Sequence, residues 1–234
     1  IFHAKGSVQV DTAARSAVVE LWAQDDVPVR YTIDGTAPTE YSKKYEGTLT
    51  LTQSFSLRAV AFRDNAEPRE FTCKFDSHKA LGAGLEYSCP PHRRYRYGLP
   101  TCLTDGIRGT ESFKTASWAA WRGAPVDLTV RMKSEEKISR VDMGVLRDQK
   151  SNIFFPEIIV VSVSVDGVNF VEVASQSYDA DLQADNFLGE LTLSFPEVAA
   201  RFVRLTVRPL AQMPQWHSSE GNSAYVFLDE IIVR

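Results

Sequence analysis

Residues Leu103–Gly123 read LTDGIRGTESFKTASWAAWRG and hold two of the chain's four tryptophans, Trp118 and Trp121. Asp105-Gly106 is turn chemistry, and Gly109 and Thr110 are further small positions in the same irregular stretch. Immediately after it, Val126, Leu128, Val130 and Met132 alternate with polar residues, the period of a half-buried strand. A long loop with turn residues and aromatic side chains, carried on a β scaffold, is where a binding site sits. The stretch therefore predicts the rim of a β sandwich that docks something.

Working outward, the alternation recurs at Val141, Met143 and Val145, and at Ile159, Val161, Val163 and Val165, which end in the hairpin signal Asp166-Gly167. Phe170, Val171 and Val173 follow, then Leu191, Leu193 and Phe195, then Val203, Leu205 and Val207. The last run, Tyr225–Ile232, is apolar on both faces and reads as a central strand. No amphipathic helix is evident, and about eight strands with long loops predict a jelly roll. Upstream, residues 82–100 are rich in Gly, Pro and Tyr without a period, as expected of loop and edge strand. The polar run at residues 76–80 marks a boundary, giving domains 1–76 and 77–234. The first is also β: Val27, Val29, Tyr31 and Ile33 alternate up to Asp34-Gly35, Phe55, Leu57, Ala59 and Ala61 run to a turn at Asp64-Asn65, and Phe71, Cys73 and Phe75 close it. The fold class is all-β, a small sandwich followed by a larger one.

The chain has 234 residues and a net charge of −4, which argues against a general electrostatic grip on nucleic acid. Arg93-Arg94-Tyr95-Arg96-Tyr97 reads as the wet face of a strand with its tyrosines packed beneath. No apolar run approaches the ~20 residues of a membrane helix, which argues against a membrane partner. Of the three cysteines, Cys89 and Cys102 are read equally as a disulfide or as buried thiols, and Cys73 as a core residue. The sequence opens at Ile1 without a methionine and enters strand-like residues almost at once, as expected of a piece of a longer protein.

Two resemblances are carried by specific residues. Tyr31–Thr39 (YTIDGTAPT), Tyr45-Glu46-Gly47 and Leu57–Phe62 (LRAVAF) resemble the chitobiase/β-hexosaminidase C-terminal module, an immunoglobulin/fibronectin-like sandwich. Leu103–Ile107, Trp118, Val126–Leu128, Ile138–Val141, Val163–Phe170, Ala200–Leu205 and Leu228–Ile231, in that order, resemble a discoidin-like (coagulation factor V/VIII C-type) domain with the galactose-binding-like fold. Phe154-Phe155-Pro156 and Pro214–His217 are similar to the version appended to bacterial family 20 β-N-acetylhexosaminidases. The resemblance implies a secreted, periplasmic or cell-surface parent whose catalytic barrel is a partner of these domains.

A glycosidase needs two carboxyl groups flanking one bond. Asp229-Glu230 is the tempting pair, but on a strand adjacent side chains point to opposite faces, so no catalysis is expected of this chain. The discoidin resemblance implies a structural calcium held by Asp105, Thr110 and Glu230. The second acid of that loop is replaced by Ile107-Arg108-Gly109, so pairing of Arg108 with an acid stays open as the alternative. Sugar binding needs an apolar plate and a few fixed polar groups. The loop-borne candidates are Trp121, Arg122, Arg147, Phe154, Phe155, Trp216 and His217, for a carbohydrate of the galactose or N-acetylhexosamine type. Trp118 is expected in the core. Two readings stand: a carbohydrate-binding module, or a structural module that packs on the barrel and shapes its substrate entrance.

Overall fold

The computed structural model describes residues 2–64 and 67–234, so Ile1 and part of the turn read at Asp64-Asn65 lie outside it. The chain divides into two compact units, residues 1–77 and 78–234. In the first, β1 (Phe2–Asp11), β2 (Ser16–Ala23), β3 (Val29–Thr32), β4 (Lys43–Lys44), β5 (Leu49–Leu51), β6 (Phe55–Ala61), β7 (Pro68–Arg69) and β8 (Phe71–Phe75) form two sheets. Their orders are β5-β2-β1-β7 and β4-β3-β6-β8. The alternating apolar residues meet between them: Ala17, Val19 and Leu21 from one sheet, Tyr31, Leu57, Ala59 and Phe75 from the other. Gly35 turns the chain with a φ of +84°, which is why glycine follows Asp34 there.

The second unit holds β9 (Gly84–Tyr87), β10 (Ala119–Arg122), β11 (Val126–Arg147), β12 (Ile158–Ser164), β13 (Val171–Ser177), β14 (Phe187–Arg208) and β15 (Tyr225–Val233). They are hydrogen-bonded in the order β10-β15-β11-β14-β12-β13, with β9 on the free side of β11. The two sequence runs 126–132 and 141–145, read separately because the polar residues 133–137 interrupt them, are one strand of 22 residues. Likewise 191–195 and 203–207 belong to the single strand β14. The two long strands pair from Val126↔Val207 to Arg147↔Phe187, with register shifts between Arg131 and Glu136 and between Ile138 and Arg140. Such irregularities bend a strand. Val126, Leu128 and Val130 before the bend and Val141, Met143 and Val145 after it lie in one buried cluster. The sheet therefore folds over on itself into the two layers of a jelly roll. β15 runs between β10 and β11 and is buried almost throughout. The chain enters and leaves side by side, since the Lys79 N–H donates to the Val233 carbonyl at 3.0 Å.

Cys89 and Cys102 are not bridged by a disulfide. Burial, reinforced by the nearby acids Asp105, Glu230 and Asp229, pushes the Cys102 thiol up to about 12.

Leu205 on β14 is fully buried, whereas Val168 at the β12–β13 hairpin is 79% exposed. Leu205→Ala is expected to destabilise the second unit by about 2–5 kcal/mol through lost transfer energy and the cavity left behind. Val168→Ala should stay within about 0.5 kcal/mol. Urea unfolding followed by tryptophan emission measures both.

Candidate functional site

Three connections of the second unit converge on one open groove. The first follows β11: Asp148 caps a short turn by accepting the Ser151 N–H and, at 2.6 Å, the Ser151 hydroxyl. The second is the polar stretch 178–186 between β13 and β14. The third is 209–224, between β14 and β15. Gln149 ties them together. Its side-chain amide donates to the Leu182 carbonyl at 3.2 Å and accepts the Ala184 N–H at 3.0 Å. Its backbone carbonyl accepts from His217 Nε2 at 2.7 Å. His217 Nδ1 in turn accepts the Ser219 N–H at 3.0 Å, which fixes the tautomer with the proton on Nε2. Trp216 Nε1 donates to the Asp181 carbonyl. Beneath the groove, Phe154, Leu210, Met213 and Ala224 form a small apolar cluster against which Trp216 rests, half-buried.

The resulting groove has a volume of about 770 Å³ and is lined by Gln149, Lys150, Gln183–Asn186 and Trp216–Ser218. It offers one indole, one cation, one carboxylate, three side-chain amides and one hydroxyl. This suits a small polar ligand with an apolar face.

Of the residues expected at the site, Trp216 and His217 line the groove. His217 is committed through both ring nitrogens and positions the loops. Arg147 stands at the edge, where its Nε donates to the Asp185 carbonyl at 3.1 Å and its guanidinium lies 4.5 Å from the Phe155 ring centroid. Three expectations are corrected. Trp121 is a core residue, 2% exposed and paired in β10, with its Nε1 donating to the Cys89 carbonyl. Phe154 is buried and forms the floor rather than the surface. Phe155 packs edge-on against Tyr178 and Phe187, beneath Arg147. Arg122 lies outside the groove lining, stacked on Tyr225. Gln149, Lys150, Gln183, Asp185, Asn186 and Ser218 escape sequence reasoning. Their signal is only a polar, unpatterned run between two strands.

The loop 105–110 is held in a different way from the calcium expectation. Glu230 is fully buried; one carboxylate oxygen accepts from His78 Nε2 at 3.0 Å and the other accepts the Gly106 N–H at 2.9 Å. Burial, then the charges of Asp105 and Asp229, raise its pKa well above the ordinary range. Arg108 is itself buried. Its Nε donates to Asp229 Oδ2 at 3.1 Å, its Nη1 to Glu190 Oε1 at 2.5 Å and its Nη2 to the Gly189 carbonyl at 3.3 Å. Asp229 Oδ2 also accepts the Gly109 N–H at 2.6 Å. Thr110 is spent on Trp118, whose Nε1 donates to its carbonyl at 3.0 Å. A calcium site needs six to eight converging oxygens. Here the loop turns N–H donors toward the acids, and a guanidinium supplies the positive charge. Among the described residues, no group of three or more His, Cys, Asp or Glu side chains is arranged to hold a metal. Asp105, Thr110 and Glu230 therefore do not fit a calcium ion. Gly144 completes the arrangement, because a Cβ there would collide with the Asp229 carboxylate and the Arg108 guanidinium.

Residues 89–226 match the model of the F5/8 type C domain, and residues 8–73 match that of the chitobiase/beta-hexosaminidase C-terminal domain. No curated protein matches the sequence. Among solved structures the chain is similar to a Streptococcus pneumoniae fucose binding module, at 20% identity over 74% of this chain and 97% of that one, with a TM-score of 0.44. It is similar to the module CpGH89CBM32-5 from Clostridium perfringens, solved in complex with GalNAc-β-1,3-galactose, at 19% identity over 67% and 99%, with a TM-score of 0.44. It is also similar to chitosan-binding module 1 of a chitosanase/glucanase from Paenibacillus sp. IK-5, at 17% identity over 67% and 98%, with a TM-score of 0.43.

Burial raises the Asp105 carboxyl to about 6, with the charge of Asp229 adding to it and the Ile107 N–H opposing. A carboxyl whose pKa is higher folded than unfolded binds its proton more tightly in the folded state, so its contribution is full below about pH 4 and is lost as pH rises through about 6. Asp105→Asn keeps an acceptor for Ile107 and removes that loss. It should raise stability near neutral pH by about 1–3 kcal/mol, with the gain vanishing below about pH 4. Calcium at millimolar concentration should leave the melting temperature of either protein unchanged; an aspartate advantage that appears only with calcium would restore the metal.

Proposed function

The chain belongs to the F5/8 type C family through residues 89–226, and from that premise we propose that its second unit binds carbohydrate in the groove over Trp216. The convergence of three loops on one half-buried indole, rimmed by Lys150, Gln183, Asp185, Asn186 and Ser218, carries the reading. A sugar presents a C–H face that packs on an aromatic ring and hydroxyls that pair with such groups. The groove is ringed by amides, which suit the hydroxyl and acetamido groups of a galactose or N-acetylhexosamine residue. The match of residues 8–73 to the chitobiase/beta-hexosaminidase C-terminal domain supports a glycoside hydrolase, of β-N-acetylhexosaminidase type, as the parent. In that parent these two units hold or position the glycan outside the cytoplasm, and bond cleavage belongs to the barrel.

The second reading, packing on the barrel, draws on the first unit, where Trp22, Ile33 and Tyr41 are exposed at 47%, 45% and 96%. It assigns a structural role to residues 1–77 and leaves the groove of the second unit as it stands.

Calorimetric titration of the chain with GalNAc- and galactose-terminated oligosaccharides tests the proposal. Trp216→Ala should weaken binding at least tenfold, about 1.4 kcal/mol. Lys150→Ala and Asp185→Ala, which leave the floor intact, should weaken it severalfold without moving the melting temperature. Absence of heat with every neutral glycan would leave the packing reading.

A further inference from the structure

The basic-aromatic run at residues 92–97 is not a strand but a turn laid along the outer side of β10. The His92 N–H donates to the Ala120 carbonyl at 2.7 Å, and the Ala120 N–H to the Tyr95 carbonyl at 3.2 Å. Tyr95 packs inward, its ring 4.7 Å from that of Phe227. Arg93, Arg94 and Arg96 point to solvent, and Tyr97, read from sequence as packed, is 79% exposed.

Arg122, from β10, joins this surface. Its guanidinium lies 4.9 Å over the Tyr225 ring centroid, and its Nε donates to the Ser223 carbonyl at 2.9 Å and the Ser223 hydroxyl at 3.2 Å. The guanidinium is thus fixed through its inner nitrogen, with the terminal fork left facing outward. The Tyr225 hydroxyl is 3.4 Å from His92 Nε2, which brings Arg122 and the turn to one spot. Burial, and then the charges of Arg94, Arg93 and Arg122, hold the His92 pKa below the ordinary value. Among the described residues none of Arg93, Arg94, Arg96 and Arg122 is paired with an acid. Arg93, Arg94 and Arg122 gather around His92, with Arg96 exposed in the same turn, and together they form a cationic surface.

We propose that Arg93, Arg94, Arg96 and Arg122 form a second carbohydrate subsite, apart from the groove, that takes the sulfate or carboxylate groups of an acidic glycan. The proposal rests on the reading of this unit as carbohydrate-binding. Guanidinium forks match the two-oxygen edge of sulfate and carboxylate. The exposed ring of Tyr97 offers a face for the sugar that bears the anion. None of these residues lines the groove over Trp216, so the two subsites are separable by substitution.

The test is titration of the whole chain with heparin oligosaccharides (sulfated), oligogalacturonate (carboxylated) and a neutral galactan, at low and at physiological salt. Sulfated or carboxylated chains, or both, should bind, with affinity falling as salt rises. Arg93→Gln combined with Arg94→Gln should reduce that binding at least tenfold while leaving neutral-glycan binding and the melting temperature unchanged, and Arg122→Gln should also reduce it at least tenfold. Lys43→Gln with Lys44→Gln, an equal change of charge in the first unit, should leave it unaltered. No binding of either acidic glycan at low salt, loss equal in the lysine control, or tighter binding of single-stranded RNA would overturn the proposal. Loss of neutral-glycan binding in Trp216→Ala with acidic binding intact separates its fate from that of the groove.

Discussion

A guanidinium buried between two carboxylates governs how the loop 105–110 can lie. Arg108 reaches Asp229 on β15 and Glu190 on β14, and the loop's own N–H groups at Gly106 and Gly109 are spent on Glu230 and Asp229. Burying charges of one sign without a partner costs several kcal/mol per ion, and removing one partner from such a pair costs about 3–5 kcal/mol. The loop therefore has one place to be. Once it is fixed, Trp118 follows, because its indole N–H is anchored on Thr110 while its ring closes a cluster with Ala120, Leu146, Ile153 and Phe227. The stretch that decides the fold is thus ordered by ions at its start and by hydrocarbon at its end.

The groove is built by another means. Few of its fastenings are apolar; most are side-chain to backbone hydrogen bonds radiating from Gln149 and His217. Each such bond contributes about 0.5–1.5 kcal/mol net. Together they hold three loops to the end of a rigid sandwich while leaving lysine, carboxylate and amide groups uncommitted at the surface. The separation of labour is physical: the long pair β11–β14 supplies stability, and the loops supply chemistry.

Much of this was legible in the residues. Alternation located the strand interiors, and Asp-Gly marked the turns at Gly35, Gly106 and Gly167, all with positive φ. What alternation could not show was continuity. Residues 133–137 are polar because the strand is bent and exposed there, not because it ends, so β11 reads as two strands. Trp121 looked like a loop residue because Gly123 and Pro125 follow closely, yet its backbone pairs with Val226 and its ring fills the core. Gln149 was invisible for the opposite reason. An amide says nothing about its partners until folding brings Leu182, Ala184 and His217 to it.

The second unit ends where it starts, with Lys79 bonded to Val233. A sandwich closed in this manner occupies a host polypeptide the way a detour occupies a road, leaving and rejoining at one point. Splicing it into a surface turn of another protein displaces little on either side.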